Sequence, residues 1–186
     1  SERYMREALS LAEHVYPPEH PQLVFLIHNL AQDLRASGRC AEAIPLMRHV
    51  LQIREKALPP DHPHTALTVA GLGLCEAALA HDREAIQLMR RALEMRERAF
   101  GTAAHVDVAK SYEDIGRFYL DRNQLLEAEP SLVRAREVYV AAVGQNHPSV
   151  ARQDALLAQL ERKRGRWSDA IRYARRALAV VQHYTD

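Results

Sequence analysis

Ten histidines, two cysteines and 24 Asp and Glu residues supply the side chains that could ligate a metal or move protons. Four of the histidines, His20, His62, His105 and His147, recur at intervals of 42, 43 and 42 residues. Ligands of one ion must converge to about 2 Å from it. Histidines that mark separate forty-residue segments lie too far apart to do so. His62-Pro63-His64 is a pair without further ligands, and Cys40 and Cys75 fit neither a disulfide framework nor a zinc spacing. The two cysteines read as buried thiols in a reducing compartment. A Gly-rich phosphate loop, a nucleophile elbow and a zinc-protease helix string are all missing from the chain. The acids and remaining histidines follow helical spacing, which is the pattern of solvated faces. The chain is therefore expected to be no enzyme, to use no cofactor and to bind no metal. The four spaced histidines are expected in loops before helices, as caps.

The recurring His is the first sign of what positions these residues. Each one opens a segment that reads as helix, turn, helix and short loop. In register with it, Ala43, Ala85, Ala128 and Ala170 form one column, and Val50, Ala92, Ala135 and Ala177 another. Leu46-Met47-Arg48 matches Leu88-Met89-Arg90, and Arg54-Glu55 matches Arg96-Glu97. Gly38 and Gly165 fall in the turn, with Ala80 and Asn123 at the same place. Self-similarity at such a period is the mark of a repeat architecture. Residues 20–61, 62–104, 105–146 and 147–186 are thus read as repeats 1 to 4. Residues 3–19 align with the second half of repeat 1, as a second helix lacking its first. All of residues 1–186 is read as a single domain, expected to be a piece of a longer protein.

Local patterning agrees with helices. Val24, Ile27, Leu30, Ala31 and Leu34 recur at steps of three and four, which makes one apolar stripe. Pro21, Pro63 and Pro148 follow the marker His at the first helical position, where a missing N–H is harmless. Small residues at 43, 85, 128 and 170 let two helix axes cross closely. One hairpin cannot bury its own apolar face, so neighbouring repeats must stack. In repeat 4, Asp154 and Glu161 replace apolar residues, which reads either as a polar outer cap or as degeneracy. Glu76 is a similar anomaly in repeat 2. Trp167, in the column of Cys40, is expected in the core.

Composition bounds the function. The chain has 186 residues, with 25 Lys and Arg against 24 Asp and Glu, a net charge of +1. That balance argues against a general nucleic-acid binder. The most apolar stretch, Ala66 to Ala80, is broken by Glu76 and is too short to cross a bilayer. A cytoplasmic protein without a membrane partner is expected. The chain starts at Ser1, so an upstream targeting signal stays open.

These residues resemble the 42-residue tetratricopeptide repeat of the kinesin-light-chain type. The matching pieces are His20-Pro21, Asn29-Leu30-Ala31, Gly38, Glu42-Ala43, Arg54-Glu55-Lys56-Ala57-Leu58 and Glu127-Ala128-Glu129-Pro130. The resemblance covers essentially the whole chain. It implies an all-α fold, a right-handed alpha-alpha superhelix of four helix pairs plus a leading helix. It also implies a concave groove, lined by the first helices, that takes extended peptides. By register the groove residues are Phe25, His28, Asn29, Gln32 and Arg35 in repeat 1, and Leu67, Ala70 and Leu74 in repeat 2. Repeat 3 offers Lys110, Glu113, Asp114 and Arg117, and repeat 4 offers Arg152, Gln159 and Arg162. The family often places Asn at the Asn29 position to meet a ligand backbone. Here that column reads Asn29, Gly71, Asp114, Leu156, so no known ligand motif carries over.

The resulting expectation is an adaptor or scaffold that holds a protein or peptide in the groove. An apolar middle with Arg and Lys on its flanks suits a ligand with an apolar anchor and acidic neighbours. The bland reading of those cations is a solvated helix face. Two other roles stay open on the same fold: a regulatory or sensor arm of a larger signalling ATPase, kinase or protease, and a self-associating architectural module. The oligomeric state is read as monomer or weak self-association.

Overall fold

A computed structural model describes residues 2–100 and 104–183, and all regular structure among them is helical. The helices are α1 (Glu2–Val15), α2 (Pro21–Ala36), α3 (Cys40–Ala57), α4 (Pro63–Ala78), α5 (Asp82–Phe100), α6 (Val106–Asp121), α7 (Leu125–Val143), α8 (Pro148–Lys163) and α9 (Trp167–His183). They form two compact units, Ser1–Met95 and Arg96–Asp186, with the boundary inside α5. None of the described helices is long and apolar enough to cross a membrane.

Each first helix starts the same way. The ring Nδ1 of His20, His62, His105 and His147 accepts the backbone N–H two residues on, over 3.1–3.3 Å. A helix N-terminus leaves its first amides without internal partners, and a side-chain acceptor satisfies one of them. Where proline holds the first position, the next amide is the first that needs a partner.

The first helices also end alike. Gly38, Ala80, Asn123 and Gly165 adopt φ of 77°, 62°, 60° and 74°. The residue after each donates its amide back to the helix: Arg39 to Leu34, His81 to Glu76, Gln124 to Tyr119 and Arg166 to Glu161. This is a left-handed helix stop, in which one residue reverses the chain and two orphan carbonyls gain donors. It turns each first helix back on its second.

The core of the first unit joins Leu30, Leu34, Met47 and Ala43 with Leu72 and Cys75 of α4. Flanking clusters hold Val24, Ile27, Val50 and Ile53, and Ala66, Val69, Ala92 and Met95. In the second unit, Leu120, Ala128 and Leu132 pack on Leu156, Leu157 and Leu160. Ala43, Ala85 and Ala128 are wholly buried, and Ala170 nearly so. A second small column, Ala31, Gly73, Gly116 and Ala158, lies on the first helices. At Gly116 a Cβ would sit 2.6 Å from Leu132 Cδ2 and 3.1 Å from the Leu132 amide nitrogen. Close crossing of α6 and α7 therefore requires glycine there.

Three acids behave differently from their sequence reading. Asp154 and Glu161 do not form a polar outer face; both are buried. Asp154 Oδ1 accepts Arg136 Nε at 2.6 Å, and Glu161 pairs with Arg164 at 3.2 Å and Arg166 at 3.6 Å. They turn inward because arginines of the same unit meet them there. Glu76 has a like explanation: it is buried and held by Arg48 at 3.0 Å and His81 at 2.7 Å. Glu76 and Glu161 share one register position, as do His81 and Arg166.

Candidate functional site

In the first unit, α2 and α4 carry the candidate residues of repeats 1 and 2. Phe25 and Leu67 are register equivalents, 59% and 40% exposed. Leu74, Asn29, Gln32 and Arg35 are half-buried, while Ala70 and Gly71 are buried. Gln32 Oε1 accepts Arg35 Nε at 2.8 Å, which fixes that guanidinium on the helix face. A Cβ at Gly71 would stand 3.2 Å from the Met47 thioether and 3.4 Å from Gln32 Nε2. Asparagine in that column would therefore push Met47 aside.

His28, the remaining candidate of repeat 1, lies inside the first unit. It is buried, with Nδ1 3.4 Å from Arg54 Nη1. Burial first and the charge of Arg54 second hold its pKa down at about 4. The imidazole is therefore neutral at pH 7 and belongs to the interior.

In the second unit, α6 and α8 carry the candidates of repeats 3 and 4. Glu113 is 2% exposed and forms a hub. Its Oε2 accepts Gln153 Nε2 at 2.6 Å, Arg152 Nε at 3.2 Å and the Tyr139 hydroxyl at 3.3 Å. Burial, then the Glu113 charge, push the Tyr139 phenol up to about 12. Lys110 donates to Asp114 and lies 3.4 Å from Glu113 Oε1. Asp114 is itself buried, and burial raises its carboxyl above the ordinary range against the pull of Lys110. Lys110 and Arg152 are thus committed to acids of their own chain. Arg117 and Arg162 are exposed.

Gln159 and Arg162 border an apolar cavity of about 490 Å³ shared with Trp167 and Ile171. Trp167 is not in the core: it is 62% exposed, beside exposed Ile171, Leu178 and Val181 on α9. Position in the Cys40 column was a poor guide, because Cys40 packs against α4 through Cys75. Among the described residues no group of three or more His, Cys, Asp or Glu is placed to hold a metal.

Sequence reasoning missed one recurrent device. Arg54 and Arg96, at matching positions near the ends of α3 and α5, are both buried. Arg54 Nη1 donates to the His64 carbonyl at 2.7 Å and the Thr68 hydroxyl at 2.6 Å. Arg96 Nη1 donates to the Asp107 carbonyl at 3.1 Å and the Ser111 hydroxyl at 2.7 Å. The matched Arg-Glu pairs were the visible signal. Their partners lie on the next helix, where no short-range pattern points.

Comparison with known proteins gives a consistent answer. A family model described as tetratricopeptide repeat matches residues 1–56, 23–98 and 107–183. None of the curated proteins matches the sequence significantly. Among solved structures, a Podosopora anserina protein described as a kinesin light chain with nearly identical TPR-like repeats is 22% identical, with a TM-score of 0.77. That match covers 100% of this chain and 87% of the other. BtubC (BKLC) from P. vanneervenii is 21% identical with a TM-score of 0.83, over 99% and 73% of the two chains. A Rap protein complexed with Competence and Sporulation Factor is 15% identical with a TM-score of 0.83, over 100% and 49%.

Proposed function

Because the chain belongs to the tetratricopeptide repeat family, we propose that it is a protein-interaction scaffold gripping an extended protein segment on its first-helix face. The family and the structural likenesses support the scaffold role in general. The Rap protein similar to this chain in fold is itself complexed with a factor, which supports ligand binding by such an architecture.

One observation carries the finer reading. Phe25 and Leu67 occupy the same register position on α2 and α4, and both are exposed, Phe25 the more so. Most large apolar residues of these two helices are buried, so the exposed pair is a deliberate-looking exception. Covering such a side chain fully contributes about 1.5–3 kcal/mol. A partner with an apolar anchor gains that energy here. Acidic neighbours of the anchor would meet Arg35, which Gln32 holds on the same helix as Phe25, since guanidinium forks match carboxylates. Lys110 and Arg152 contribute little, being neutralised by Glu113 and Asp114.

The test is to pan a random displayed peptide library on the purified chain. Enriched peptides should combine an apolar residue with nearby acids, and should be lost when Phe25→Glu and Leu67→Glu are combined. Peptides that bind the double variant equally well would refute this face as the site.

A further inference from the structure

The two buried arginine clamps share a geometry but not an electrostatic setting. Beside Arg96, Asp107 and Asp114 contribute negative charge that favours the guanidinium. The register equivalents of those acids beside Arg54 are His64 and Gly71. Neither can balance a cation. His28, 3.4 Å from Arg54, is neutral, and His64 is also held below the ordinary histidine range by burial and by Arg54. Glu55, the next residue in the chain, is taken by Arg91. Among the described residues no carboxylate pairs with Arg54, and its hydrogen bonds all leave from Nη1. Arg54 is nevertheless 8% exposed.

Withdrawing a guanidinium from water is costly unless an anion compensates it. The surroundings of Arg54 offer a place for one. It lines a cavity of about 270 Å³ with Val24, Phe25, Ile53, Leu58 and His64. Exposed Glu19 also borders the cavity but makes no bond to Arg54. Drug-sized ligands occupy pockets of roughly 300–1,000 Å³, so this one suits a single side chain and its carboxylate. Apolar side chains of α2 and of the end of α3, and one guanidinium to which no carboxylate is bonded, define the chemistry.

We infer that this cavity binds a carboxylate carried on a compact apolar group, with Arg54 as its counter-ion and Phe25 at its mouth. The carboxylate comes either from the free C-terminus of a peptide with an apolar last residue or from an acidic side chain next to an apolar one. The inference rests on the peptide-binding reading above and names a chemical subsite within it. Repeat 3 needs no such ligand, because Asp107 and Asp114 of its own helix already serve Arg96.

That internal contrast supplies the decisive variant. His64→Asp places in repeat 2 the residue that repeat 3 already uses. The amide and carbonyl of residue 64, which bond the His62 ring and Arg54, are backbone groups and survive the change. The fold is retained, which thermal unfolding checks, while the new carboxylate competes with the ligand. Three fluorescein-labelled probes with a Gly-Ser spacer are compared by anisotropy: one ending in Phe with a free carboxylate, the same peptide amidated, and an amidated peptide with internal Asp-Phe. Wild-type chain should bind at least one carboxylate probe tenfold or more tighter than the amidated Phe probe. His64→Asp should erase that preference, as should Arg54→Gln. The first probe winning assigns the terminal carboxylate; the third winning assigns the side chain. Equal binding of the amidated Phe probe, undiminished binding by folded His64→Asp, or no binding of any probe overturns the inference. Library peptides that need Phe25 and Leu67 but ignore His64→Asp would sink this subsite while leaving the wider reading intact.

Discussion

Arg54 on α3 donates from Nη1 to the Thr68 hydroxyl on α4 across 2.6 Å, with both residues withdrawn from water. Arg96 and Ser111 repeat the relationship at 2.7 Å in the second unit. The hydroxyl also donates to the His64 carbonyl at 3.0 Å. One arginine thus ties the end of a repeat to the first turns of the next. A buried hydrogen bond to a charged group is worth about 1.5–3 kcal/mol. Thr68→Val keeps the shape and removes the acceptor. It should lower the stability measured by urea unfolding by about that amount, and Ser111→Ala should do likewise.

The Glu113 hub should be more sensitive. Glu113→Ala leaves Gln153 Nε2 and the Tyr139 hydroxyl without their buried acceptor and strips Arg152 of its anion. Removing one partner from a buried charged network costs about 3–5 kcal/mol. Glu113→Gln, which keeps an acceptor oxygen, should cost less. Chemical denaturation of the two variants side by side checks both the magnitude and the order.

Acid should unfold the chain partly through His28. Its folded pKa is about 4, below the ordinary 6.5 of an exposed histidine. Above pH 6.5 both states are neutral and the group has no effect. As pH falls from 6.5 toward 4, the unfolded chain takes up a proton that the folded chain refuses, so stability drops. Each pH step costs at most about 1.4 kcal/mol, or roughly 2 kcal/mol by pH 5. His28→Gln removes the titration. The gap between wild type and His28→Gln in urea midpoint should therefore shift in favour of the variant between pH 7 and pH 5; a constant gap would contradict the assignment.

Two backbone substitutions should move stability in opposite directions. Ala80 sits at φ 62°, a conformation that L residues other than Asn and Asp avoid. Ala80→Gly relieves it and should raise stability by about 0.5–1 kcal/mol, after the entropy that glycine adds to the unfolded chain. Gly116→Ala forces Leu132 to move, and overpacking of this kind costs about 1–3 kcal/mol. Paired thermal melts at one pH decide both.

The sequence by itself determined where helices begin, where they turn and how often the pattern returns. Those features depend on neighbours within a few residues, such as His20 before Gln22 or Gly38 after Arg35, repeated at a fixed interval. It also placed Phe25 and Leu67 at one register position of two first helices. Tertiary structure decided which polar residues remain available. Arg152 looked like a ligand-facing cation until folding brought Glu113 of α6 to it. Asp154 looked like an outer cap until Arg136 met it. Trp167 looked like core, yet it stands in water. These outcomes turn on partners 18 to 39 residues away, as in Arg136–Asp154 and Arg152–Glu113. Helical periodicity tells which side of one helix a residue occupies. Whether a charge there is solvated or neutralised depends on the helix packed against it, and that is settled by packing between repeats.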